Sequence, residues 1–283
     1  MNTLQQIEED VKEFLDKETK IFFNERDFQV ELAFYLKGTN HYKNIHLEYS
    51  LPLGTTISSK EKKKNKTQWV WNEQLKQRWE EKGGDYTFLK KGKKTPQSIE
   101  TYEKTIRIDI VVEGYDNYFY PIELKYKTKE QNGSFERFQE NLDNLEILKD
   151  HGARNLGRYS FWKDVARLQF VKGCFNKVKG GICVFITNDD KYTKCPTDSS
   201  ERFSMEMKTE PLESPLKWPE NFKLQHTTHP EFSLQGNYRA IDVSNESKSN
   251  TKWKALKRTI FKNKKKNEKE AKSVDFYYCI VEV

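Results

Sequence analysis

No stretch of the 283-residue chain is apolar for long enough to cross a bilayer, and its opening, MNTLQQIEEDVKEF, lacks the charged-then-apolar layout of a secretory signal. Both gaps lead to the expectation of a cytoplasmic protein with no membrane partner. Cysteine is sparse: Cys174, Cys183, Cys195 and Cys279 form no CxxC pair and no Cys/His cluster at zinc spacing. Cys183 and Cys279 fall in apolar runs, where a thiol behaves as a small hydrophobe, so no disulfide framework is expected. The histidines, His41, His46, His151, His226 and His229, also lack metal-ligand spacing, and His226 and His229 read as exposed loop residues. No internal repeat is present, which excludes a solenoid or propeller.

Hydrophobic residues make up only 35% of the chain and charged residues 33%, but an aromatic content of 13% argues for a packed core carrying polar loops. The net charge of +7 is modest, yet basic residues cluster: KEKKKNK at 60–66 and KWKALKRTIFKNKKKNEKEAK at 252–272. Such runs concentrate polyanions such as nucleic acid, although many lysine runs are only solvated loops.

Apolar spacing predicts a helix over 3–20, and a second from the N-cap Asn24 to Gly38. NIHLEYSLP (44–52) alternates as a half-buried strand. Residues 54–100 read as a basic insertion holding Trp69, Trp71 and Trp79, with a short helix around NEQLKQRWEEK. Its tryptophans suit either stacking on bases or anchoring to the body. TIRIDIVVE (105–113), the turn-rich GYDNY and FYPIELKYK (119–127) predict a β-hairpin. Helices are expected over about 134–150, where Phe138, Leu142, Leu145 and Leu148 share a face, and from Ser160. GGICVFITND (180–189) reads as a buried strand, NYRAIDVS (237–244) and DFYYCIVEV (275–283) as further strands, and 191–235 as mostly loop. A lysine-rich loop is expected at about 245–273. The pattern as a whole predicts one α/β domain over 1–283, with a central mixed β-sheet flanked by helices.

Side chains alternate faces along a strand, so Arg107, Asp109 and Val111 should oppose Ile108, Ile110 and Val112. Glu123 and Lys125 should likewise oppose Ile122, Leu124 and Tyr126. A hairpin then lets Asp109, Glu123 and Lys125 converge. Two carboxylates and an ammonium are costly to gather unless something pairs them, and Mg²⁺ suits oxygen donors and substrate phosphates. Lys125 could position or help deprotonate an attacking water.

Asp109 followed by Glu123-Leu124-Lys125 on a second strand resembles the PD-(D/E)xK, restriction-endonuclease-like nuclease superfamily. The residue before Asp109 is Ile108 where the motif's name has proline, a departure shared by many members. The resemblance implies a restriction-endonuclease-like fold and Asp109, Glu123 and Lys125 as catalytic residues. It also implies a Mg²⁺ cofactor, with Mn²⁺ as a substitute. Members often add a metal-binding glutamate on a preceding helix: Glu31 is the first choice there and Glu25 the second, giving a metal set of Glu31, Asp109 and Glu123. The function implied is a DNA endonuclease acting in restriction, phage defence or repair. A homodimer would supply the two active sites that double-strand cutters need. The alternatives are a catalytically inactive nucleic-acid-binding protein of the same fold, and a partner-binding α/β protein unrelated to it. Lys264, Lys265 and Lys266 are the expected nucleic-acid contacts. Asp164 and Arg167 are expected to pair with each other, and they stay outside the catalytic set with Gln139 and Gln169.

Overall fold

The computed structural model describes residues 2–61, 64–91, 101–194, 203–205, 228–235, 237–243, 252–265 and 268–283, with the side chains of 59–67, 135–137, 141 and 261–270 outside that description. Helix α1 (Thr3–Lys17) begins in a capping box: Asn2 accepts from the Gln5 N–H while the Gln5 side chain returns to the Asn2 N–H. Its buried stripe is Ile7, Val11, Phe14 and Leu15. Helix α2 (Glu25–Gly38) is capped by Asn24, which accepts from the Asp27 N–H, and it buries Phe28, Gln29, Leu32, Ala33 and Leu36.

Strand β1 (Asn44–Pro52) leads into the insertion, which forms the β2 (Gly54–Glu61) and β3 (Lys64–Trp71) hairpin, α3 (Glu73–Glu80) and the short ribbon β4 (Lys90–Lys91) and β5 (Thr101–Tyr102). Of the two roles open to its tryptophans, anchoring is the one observed. Trp79 is buried against Phe88 and Phe170, and Trp69 and Trp71 pack partly buried on the same core.

The chain continues through β6 (Thr105–Glu113), β7 (Phe119–Lys127), β8 (Gln131–Arg137), β9 (Glu140–Leu148), α4 (Arg154–Cys174), β10 (Ile182–Thr187), β11 (Arg239–Ala240), β12 (Lys254–Lys265) and β13 (Glu268–Glu282). The central sheet runs β1-β6-β7-β10-β13-β12, with β11 against β13. It is mixed: β7 and β10 are parallel, while the other neighbours are antiparallel. One face packs on α1 and α2 through Ile110, Val112, Ile122, Leu124 and Tyr126. The other packs on α3 and α4 through Ile106, Ile108, Cys183 and Phe185. The α/β class and the mixed, helix-flanked sheet are therefore as the sequence predicts.

Three expectations are corrected. The helix placed at 134–150 is the β8–β9 hairpin. Phe138 and Gln139 take φ of 52° and 67°, which makes them a two-residue turn, and Phe138 is 97% exposed at the tip. Leu142, Leu145 and Leu148 fit a helical stripe by spacing, but pairing of Ser134 with Phe261 on β12 fixes the segment as sheet. Helix α4 starts at Arg154 instead of Ser160. The lysine-rich loop expected at 245–273 is largely the β12–β13 hairpin, where cross-strand pairing runs from Lys254–Tyr278 to Lys265–Glu268.

Candidate active site

Backbone pairing between β6 and β7 runs from Glu113–Phe119 to Ile110–Ile122 and stops there. Asp109 would next face Glu123. Instead, the Leu124 N–H donates to Asp109 Oδ2 at 2.7 Å, so a side chain closes the ladder where the two strands part. The Asp109 carbonyl, released from the ladder, accepts from Gln29 Nε2 at 2.6 Å. That amide also donates to Glu48 Oε1 at 3.0 Å. Glu48 lies opposite Asp109 on β1 with φ of 51°, so both strands are distorted at this level. The distortion corrects the expected alternation. Ile108 joins the α4 side with Ile106, whereas Ile110 and Val112 face α1 and α2.

Glu123 and Lys125 share the α4 face, as expected, because their β10 partners Cys183 and Phe185 belong to that core. Glu123 is 4% exposed, and its Oε1 is buried without a hydrogen-bond partner. Burial, then Asp164, then Asp109 push its carboxyl well above the ordinary range. Asp109 is raised to about 6, chiefly by burial, against the Leu124 N–H, a hydrogen bond with Glu123 and the charge of Lys125. The two carboxyls are thus brought together in a setting that disfavours two negative charges.

Lys125 is answered from α4. Its Nζ lies 2.8 Å from Asp164 Oδ2, and Asp164 Oδ1 accepts from Arg167 Nη1 at 2.6 Å. Arg167 Nη2 grips both oxygens of Glu103 at 2.7 and 2.8 Å, and Lys163 reaches the same carboxylate at 2.9 Å. Burial by itself would lower the Lys125 ammonium. Asp164 first, then Glu25 and Glu123, hold it above its ordinary value, so Lys125 is a firm cation at neutral pH. The expected Asp164–Arg167 pair forms, but Asp164 also holds Lys125. That contact joins a strand to a helix nearly forty positions later, and no local pattern announces it.

Glu31 is exposed on α2 and does not line the cleft beside Asp109. The buried stripe of α2 runs through Phe28, Gln29, Leu32 and Leu36, which leaves Glu31 off the inner face. Glu25 takes the inner position. Its Oε2 accepts from the Tyr126 N–H at 2.9 Å, which docks the first turn of α2 on β7. Glu25, Gln29, Glu48, Asp109, Lys127 and His151 line an open cleft of about 450 Å³. Glu123 and Lys125 do not line it. Lys264 and Lys265 end β12, two strands beyond β10 from the motif; their side chains, and the whole of Lys266, lie outside the described residues.

No family model, no curated protein and no solved structure matches this chain. The chemistry of the cleft therefore rests on its own residues. Among the described residues, no three His, Cys, Asp or Glu side chains gather closely enough to cage an ion. No helix there is long and apolar enough to cross a membrane.

Proposed function

We propose that the protein is a metal-dependent nuclease of the PD-(D/E)xK type that hydrolyses phosphodiester bonds in DNA. The observation that supports this most is the pair Asp109 and Glu123, held together where β6 and β7 part, with the orphaned Glu123 Oε1 and the Lys125 ammonium on the same side. These residues fit Mg²⁺, which needs one or two carboxylates and fills its other positions with water and phosphate oxygens. Asp109 and Glu123 would hold the ion, and Glu25, which lines the same cleft as Asp109, is the helix-borne acid. A bound Mg²⁺ supplies Lewis-acid stabilisation of phosphate charge and a more acidic water.

The protein's own groups do the rest. Lys125 is fixed as a cation by Asp164, so it stabilises negative charge near the carboxylates and does not accept a proton. Gln29 and the Leu124 N–H fix Asp109 at both its carbonyl and its carboxylate. The test is cleavage of plasmid and single-stranded DNA with Mg²⁺ against EDTA. Cutting that appears with Mg²⁺ and stops with EDTA is expected. Absence of cutting with either Mg²⁺ or Mn²⁺ would leave an inactive protein of this architecture.

The helix acid can be tested separately. Glu25→Gln keeps an acceptor for the Tyr126 N–H and should preserve the fold, yet weaken Mg²⁺ binding by on the order of tenfold in calorimetry. Glu31→Gln should leave Mg²⁺ binding unchanged. Equal effects from the two variants would remove Glu25 from the site.

A further inference from the structure

A second open cleft, of about 380 Å³, is lined by Lys127, His151, Ser160, Lys163, Arg167 and His229. Lys127 and His151 belong to both clefts, so the two adjoin and make one groove past Asp109 to the start of α4. Lys163 and Arg167 are already matched by Glu103 and Asp164. Lys127 is different. It is half-buried on β7, and among the described residues its ammonium makes no hydrogen bond or ion pair. Burial lowers its pKa and Lys125 adds to this, while the charges of Glu25 and Asp164 offset it only in part. A lysine kept at a groove without a partner is missing an anion.

Two neighbours suit the same anion. His151 Nδ1 is occupied by the Thr128 N–H at 3.0 Å, which leaves Nε2 as the ring atom able to donate. Helix α4 starts at the rim of the same cleft, with Ala153 at its N-cap and no side-chain cap for its first turn. The positive end of a long helix favours an anion. Lys127 lies four positions beyond Glu123 along β7, about 13 Å of strand, so a ligand here sits beside the carboxylate centre and not on it.

We infer that Lys127, His151 and the first turn of α4 form a backbone-phosphate subsite that holds a nucleic-acid strand next to the Asp109/Glu123 centre. The inference deepens the nuclease reading by naming where the strand runs, and it can fail independently of it. The subsite binds a phosphodiester through charge and N–H groups and reads no base.

The test is fluorescence anisotropy with labelled DNA and RNA oligonucleotides in EDTA, where no cutting is required. Lys127→Met keeps the aliphatic stem and should weaken binding roughly tenfold and reduce the slope of log K against log salt by about 0.7 to 0.9, one phosphate contact. Lys127→Arg should restore most of the affinity. Thermal unfolding of Lys127→Met should be unchanged or slightly higher, because no partner is orphaned. Weakened binding of either oligonucleotide supports the subsite even if the wild type never cuts, an outcome that would count against the nuclease reading alone. Unchanged affinity and salt slope in both arms, or a clear loss of thermal stability, would overturn the subsite and leave the nuclease reading standing.

Discussion

Asp109→Asn should give a protein that no longer cuts nucleic acid, gains no stability from Mg²⁺, and yet is more stable than the wild type without metal at pH 8. The sign follows from the raised carboxyl. Asp109 moves from 3.8 to about 6 on folding, mainly through burial, so between these values the folded state binds more protons than the unfolded one. Stability from this group is full below about pH 4, declines as pH rises to 6, and stays low above that. A shift of about two pKa units corresponds to roughly 3 kcal/mol as an upper figure. Asparagine removes the penalty while its oxygen can still accept the Leu124 N–H. Cleavage should fall by on the order of 10³-fold or more, since several kcal/mol of charge stabilisation depends on the bound ion. Thermal melts with and without Mg²⁺ at pH 5 and pH 8 read the effect. Glu8 is also raised, to about 7, by burial and by Glu282, so the wild-type profile mixes groups; the difference from Asp109→Asn removes Glu8 and reads Asp109 together with its coupling to Glu123. A metal-free Asp109→Asn protein less stable than the wild type at pH 8 would mean that the carboxylate is satisfied without an ion.

Lys125→Met should lower cleavage by about 10²- to 10³-fold, the usual consequence of losing one group aimed at developing charge. Binding to an oligonucleotide in EDTA should persist, because affinity comes from several distributed contacts. The variant should also lose stability, up to about 3–5 kcal/mol, because Asp164 keeps Arg167 but loses its second cation. Asp164→Asn added to Lys125→Met should recover much of that stability and none of the cleavage. Urea unfolding of the single and double variants separates the two roles of Lys125. Cleavage that returned together with stability would make Lys125 a structural ion-pair partner and move the catalytic cation elsewhere.

The outline of this protein was legible in its residues. Alternation of apolar and polar side chains set out β1, β6 and β7, and a continuous apolar run set out β10. Asn24 with the stripe Phe28, Leu32 and Leu36 marked α2, and the ELK segment singled out Glu123 and Lys125. Those signals are local: caps, turns and strand periods act over a few residues, and the chain itself displays them. The tertiary structure decided what depends on distant neighbours. Leu142, Leu145 and Leu148 carry a helical spacing but lie in a hairpin, because β12 offers an edge to pair with. The lysine-rich segment is drawn into strands by its pairing with β13. Glu25 displaces Glu31 because the docking angle of α2, set by Gln29 on Asp109 and by Glu25 on Tyr126, selects which acid faces the cleft. The same holds for the site's charges. Asp164 meets Lys125, and Lys127 is left without an anion among the described residues, because α4 crosses the sheet above β7. Residue spacing fixed which groups could converge; the packing of α2 and α4 on the parted strands fixed which of them do.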